Sequence, residues 1–175
     1  MAENATPVLT AEGAREAQRV MLEQERVLRY ESFGAAEALE LGRIAALLAP
    51  EFGEGVSVTI TRQSDEVVQF QWVADDKDGK NLLFANGKRK AALKAGHASP
   101  WTQLEGTIAG DMTQVWAQVP DEVPACGAFP IRVGDDWVAT LAVSGLSNGE
   151  DHELIVRALE RALGVTVLRW AAPVA

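Results

Sequence analysis

Residues 129–133 and 137–143 are two runs of strand-forming side chains separated by Gly134-Asp135-Asp136. Such runs around a glycine-bearing loop predict a β-hairpin. Pro130 constrains that hairpin further. It lacks a backbone N–H, so its strand must lie at a sheet edge or carry a bulge. Gly127 before it and Gly145 after the second strand leave room for backbone or a ligand to approach. A small pocket, a subunit contact and a plain structural bulge all remain open at this edge. A second pair of strands is predicted upstream. Val56, Val58 and Ile60 alternate with Ser57, Thr59 and Thr61, and Val68, Phe70 and Trp72 alternate with Val67, Gln69 and Gln71. Alternation of this kind gives each strand one apolar face, as in antiparallel pairs. Ser64-Asp65 supplies the turn.

The rest of the chain reads mostly as helix. Thr10 can cap a helix running towards Tyr30, with Glu12 at the positive end of its dipole. Val20, Met21, Val27 and Leu28 give it a narrow apolar stripe, which suits a peripheral helix or one docked on a partner. A second helix follows Ser32 as its cap. Leu39, Leu41, Ile44, Ala45, Leu47 and Leu48 make it strongly apolar, and Pro50 ends it. Gly42 inside it costs about 1 kcal/mol relative to Ala, which close packing on a sheet would explain. A third helix is expected over 80–95, with a poor apolar pattern and a basic group, Lys88, Arg89, Lys90 and Lys94. Gly96 ends it. Residues 98–124 are punctuated by Pro100, Gly106, Gly110, Pro120 and Pro124, and read as irregular, with strand character only over 114–119. Residues 147–150 form a capping box for a last helix that buries Leu154, Ile155, Ala158, Leu159 and Ala162. Gly164 stops it, and 165–170 reads as a final short strand. This order predicts an α+β fold, one antiparallel sheet with helices packed on it. Residues 1–9 are expected to be a flexible leader and 10–175 a single domain.

The net charge of −9 argues against nucleic acid and anionic lipid as partners. No apolar run is long enough to span a bilayer, and the N-terminus lacks the pattern of a secretory signal. The single cysteine, Cys126, leaves no internal disulfide and no CxxC motif, in keeping with a cytoplasmic protein. Next to Gly127 it reads as a small buried hydrophobe.

Chemistry-bearing groups are sparse. The chain has two histidines, His97 and His152. Ser99 lies near His97 without a nucleophile elbow around it. Asp75, Asp76 and Asp78 resemble only part of a calcium loop, and a solvated acidic turn accounts for them. Asp151 stands in the first turn of the last helix, where it complements the dipole. His152 beside it is a candidate iron or haem ligand, or a histidine hydrogen-bonded at a helix entrance. The basic group is either a solvated face paired with nearby acids or a binder of carboxylates such as haem propionates.

Several of these residues also fall into a pattern. Phe33 with 38–42, then Asn81, Phe84, Lys88 and Ser99, then 127–131, 143–146 and Asp151-His152 resemble the haem-degrading domain family, with its GlcG-like and HbpS-like members. The likeness runs from about Phe33 to Leu163 and is strongest to a branch of short bacterial and fungal proteins. Phe84 stands where the family has Trp, and Ala125-Cys126 where it has His-Gly. The second departure removes a potential ligand. The resemblance implies a profilin-like fold, a homo-oligomer and, as in some relatives, binding of haem or another small anionic ligand. It implies ligand-binding candidates Asn81, Lys88, Ser99, Phe129, Ser144, Asp151 and His152, with His152 as the metal ligand. The expected function is therefore a cytoplasmic oligomer that binds a small ligand, with haem the candidate cofactor and no assigned catalysis. An interaction module without a ligand and a small-molecule enzyme are the alternatives.

Overall fold

A computed structural model describes residues 9–147 and 149–170. The leader predicted over 1–9 lies outside these except for Leu9, which packs against the core. Helix α1 (Ala11–Val27) begins where Thr10 accepts a hydrogen bond from the Gly13 amide, 3.0 Å away. It ends before Tyr30, because Arg29–Tyr30 forms a short strand, β1. Helix α2 (Ala35–Leu48) follows, then a 3₁₀ turn (Ala49–Phe52) that carries Pro50. Its start corrects the sequence reading: Gly34, not Ser32, precedes the first turn, and the Glu37 carboxylate accepts the Gly34 N–H at 2.8 Å. Strands β2 (Ser57–Arg62) and β3 (Val68–Val73) form the first antiparallel pair. Helix α3 (Gly79–Ala95) ends at Gly96 in the left-handed conformation.

Two expectations for the second half are corrected. Residues 101–109 form helix α4 (Trp101–Ala109), and 114–119 is a series of turns rather than a strand. Gly106 hides that helix from propensity arguments, yet Val115 and Met112 sit so close that a Cβ would come within 2.6 Å and 2.9 Å of them. Strands β4 (Ala128–Val133) and β5 (Asp136–Ser144) form the predicted hairpin, and helix α5 (Glu150–Leu163) follows. The expected capping box at 147–150 does not form with side chains. Glu150 N–H donates to the Ser147 carbonyl, and Gly149 enters the helix from the left-handed region. Residues 165–170 are not a strand: they have no sheet neighbour and lie back over α5.

The sheet order is β1-β4-β5-β2-β3, antiparallel except where β1 joins β4 in parallel. Strand β1 pairs only with Arg132 and Val133, so Pro130 lies outside that ladder, and the β4–β5 register shifts just after it, between Ile131 and Arg132. Edge and bulge thus both accommodate the missing donor. One face of the sheet carries the main core, with Val58, Ile60, Phe129, Ile131 and Leu141 packed against α1, α2, α4 and α5. Helix α1 is therefore a core helix: Ala14, Ala17, Val20 and Met21 are fully buried. The other face is covered by α3, through Ala85 and Ala92 packed on Ala128 and Ala142.

Gly42 is explained by packing. A Cβ there would lie 2.3 Å from the Phe70 ring, so α2 rests directly on β3. Gly42→Ala is expected to lower stability by about 1–3 kcal/mol in urea unfolding, against its helix-propensity gain. Phe70→Leu in the same chain should recover part of that loss.

Candidate functional site

The alanines of α3 set the geometry of the site. Ala85, Lys88 and Ala92 share one helix face by their spacing. With only methyl groups between helix and sheet, the Lys88 stem is carried inward, and the residue is 5% exposed. It passes Gly127, where a Cβ would sit 2.9 Å from the Lys88 Nζ and 2.3 Å from the Val143 carbonyl oxygen. Gly127 also has φ 127°, which a side chain would resist. Beyond Gly127 the ammonium donates to the Val143 carbonyl at 3.1 Å and to Asp151 Oδ2 at 2.5 Å. Asp151 Oδ1 accepts the Leu146 N–H at 3.0 Å. The pair joins α3 on one face of the sheet to the first turn of α5 on the other.

Burial pushes the Asp151 carboxyl above its ordinary range, while the Lys88 ammonium and the amides of Gly145 and Leu146 pull it back. Burial also pushes the neighbouring Cys126 thiol up to about 12, so it stays protonated and un-nucleophilic at neutral pH. The other three cations of the basic group meet carboxylates of the same chain. Arg89 pairs with Glu66, Lys90 with Asp121 and Lys94 with Glu122. The basic group is thus half internal and half surface, and its partners are the protein's own acids.

His152 follows Asp151 into the main core. Its ring lies 5.8 Å from Phe129 and 4.8 Å from Trp170, centroid to centroid. Nε2 is 2.8 Å from Gln24 Oε1. Gln24 Nε2 donates to the Leu168 carbonyl at 2.7 Å, which turns Oε1 towards the histidine. An amide oxygen only accepts, so Nε2 carries the proton and Nδ1 holds a bare lone pair. Nδ1 is buried without a hydrogen-bond partner. Burial, with a smaller contribution from Arg169, pushes the imidazole down to about 3, so the ring is neutral at physiological pH.

The remaining candidates are scattered. Asn81 caps α3, its Oδ1 3.4 Å from the Asp78 N–H. The Ser99 hydroxyl donates to the Ala125 carbonyl and accepts the Ala128 N–H at 3.0 Å, pinning the entry to β4. His97 is turned away from Ser99, onto Glu25 at 3.0 Å and the Trp101 ring at 4.0 Å. Ser144 is buried at the end of β5, its carbonyl 3.4 Å from the Ser57 hydroxyl. The structure therefore brings together Lys88 with Asp151, and Phe129 with His152. Sequence reasoning missed Gln24, Trp170 and the Val143 carbonyl. Gln24 had a signal, since it continues the stripe of Val20, Met21 and Leu28 at helical spacing. Asp76 accepts the Gly55 amide and Asp78 caps α3, and among the described residues no three His, Cys, Asp or Glu side chains converge on a metal-sized space. A cavity of about 260 Å³ lies elsewhere, between α3, α4 and the turns at 114–124; Lys94 of the basic group lines it, and Asn81, Lys88, Ser99, Phe129, Ser144, Asp151 and His152 do not.

The chain is similar to known proteins. The family described as Haem degrading protein HbpS-like matches residues 33–160. A UPF0303 protein of Rhizobium johnstonii, RL3365, is 32% identical over 142 residues, covering 78% of this chain and 85% of that protein. The chain belongs to the HbpS-like family. Its fold is shared with solved structures at lower identity. Ybr137w superposes with a TM-score of 0.74 at 21% identity, over 88% of this chain and 95% of that one. A PduOC:heme complex superposes with a TM-score of 0.63 at 17% identity, over 79% of this chain and 99% of that one.

Two expected outcomes follow from this geometry. Lys88→Met or Asp151→Asn alone should cost about 3–5 kcal/mol in chemical unfolding, because each strands a buried group, whereas Lys88→Met with Asp151→Leu should cost less than either. His152 should make stability depend on pH. Its folded pKa lies below the ordinary 6.5, so the unfolded chain binds the extra proton between pH 6.5 and about 3. Its contribution is fully present above pH 6.5 and is lost as pH falls through that window. Wild type should lose about 2 kcal/mol more than His152→Gln between pH 7.5 and pH 4.5, measured by urea midpoints.

Proposed function

We propose that this protein is a cytoplasmic homo-oligomer that binds haem as a small ligand and does not turn it over. Family membership supports the ligand class, as does a structural neighbour solved as a heme complex. His152 is the observation in this chain that carries the proposal. A neutral imidazole with a bare nitrogen is the form that ligates iron. The Phe129 ring beside it offers an apolar wall of the kind a flat macrocycle needs. Gln24 fixes the tautomer and orientation, as outer partners of ligating histidines do.

Bound haem would supply an iron able to exchange axial ligands. Lys88 acts here as a positioning residue: Asp151 neutralises it, so it holds the start of α5 rather than an anionic group of the ligand.

A hemin titration followed by Soret absorbance tests this. A shifted band that saturates at one haem per chain, and that is lost in His152→Ala, is expected. No shifted band at stoichiometric protein would overturn it. Assembly without any ligand is the second reading, favoured by exposed Leu83, Phe84 and Trp116. Light scattering that finds only a monomer at micromolar concentration would remove the oligomer from both.

A further inference from the structure

We infer that residues 165–170 are a latch over His152, whose release opens the ring to a ligand; the identity of that ligand rests on the haem proposal above. The chain turns back after Gly164, which has φ 68°. It then runs along α5 without forming helix or strand. Apolar burial holds it only partly, since Val165 is 37% and Leu168 51% exposed. Val167 and Trp170 pack against the core, and polar contacts hold the segment beside them. The Val167 N–H donates to Glu160 Oε1 at 2.7 Å. Arg169 grips two carboxylates of α5, Glu153 at 2.7 Å and Glu160 at 2.8 Å. The Leu168 carbonyl accepts from Gln24, and the Trp170 ring lies on His152.

Two properties make this a latch and not a fixed wall. Its grip is an ion-pair cluster with about a third of the Arg169 and Glu153 side chains exposed, so salt weakens it. Opened beyond Val165, whose N–H caps α5 on the Glu160 carbonyl, it breaks no sheet or helix hydrogen bond, so it can open locally while the fold persists. Gln24 couples the two events. One end of its amide holds the Leu168 carbonyl and the other holds His152. Lifting the segment therefore removes Trp170 from one side of the imidazole and frees the amide on the other. His152 is 2% exposed with the segment down, which leaves its Nδ1 lone pair without access for any ligand.

Carbethoxylation by diethyl pyrocarbonate, mapped by peptide mass spectrometry, reads the latch without haem. The chain has only His97 and His152, so the partly exposed His97 ring is an internal reference. In wild type at low salt His152 should react far more slowly than His97. Arg169→Ala, Glu160→Gln or 1 M salt on wild type should each speed His152 about tenfold, with His97 unchanged and thermal unfolding still cooperative. An unchanged His152 rate in both variants and in salt would overturn the latch. If a variant fails to fold, the salt arm on wild type decides alone, and an unchanged rate there overturns the latch. Hemin titrations of the same proteins separate the two ideas. Faster His152 labelling with no Soret shift in any protein upholds the latch and sinks haem binding. An equal Soret shift in all, with labelling unchanged, does the reverse.

Discussion

The Lys88–Asp151 ion pair is the contact around which the rest of this molecule is arranged. Its two ends come from helices on opposite faces of one sheet, so something must let it through. Gly127 does so by lacking a Cβ, and the alanines of α3 do so by letting the helix lie close. A buried ion pair is a poor source of stability, because desolvation offsets most of the attraction. Its value here is positional. With Val143 and Leu146 supplying the remaining hydrogen bonds, it fixes where α5 starts relative to the end of β5. His152 is the next residue, and its ring inherits that placement.

A second layer of polar contacts runs on the core side of the sheet. Glu25 of α1 is buried and accepts the Ala98 N–H and the His97 ring, closing the approach to α4. Gln24, its neighbour, ties α1 to α5 and to the segment at 165–170. Adjacent residues on one helix thus point to two different polar tasks inside an apolar cluster. Among the described residues, each buried side-chain nitrogen or oxygen is hydrogen-bonded except His152 Nδ1, Tyr30 Oη and Gln103 Oε1. Of these, only the histidine atom is a strong metal donor.

The sheet and the last helix were legible because their patterns are strict. Period-two alternation set the β2–β3 pair, the glycine loop between two strand-forming runs set the β4–β5 hairpin, and the apolar face of α5 repeats at helical spacing. Gly42 was legible as a close approach, which the Phe70 ring supplies. Strand β1 has two residues, too few for any period. Helix α4 was missed because Pro100, Gly106 and Gly110 read as breaks, although the first and last lie at its ends. Residues 165–170 alternate like a strand but find no neighbour. In the site, Lys88, Lys90 and Lys94 look alike in sequence. Only the helical phase shared with Ala85 and Ala92 sends Lys88 inward, and alanines make a faint stripe.

The replacement at Ala125-Cys126 bears on what the site can do. A histidine at that point, as the family resemblance leads one to expect, would put a second imidazole close to Gly127 and Lys88. Here Ala125 offers only its carbonyl, taken by the Ser99 hydroxyl, and Cys126 contributes a protonated, buried thiol. His97 is committed to Glu25 of α1. His152 is then the one imidazole left for a ligand, held neutral by its burial. In the proposed capture of haem by this one buried ring, access is the controlling step. That places the weight of any regulation on the short segment that covers it, and on the two carboxylates of α5 that hold the segment down.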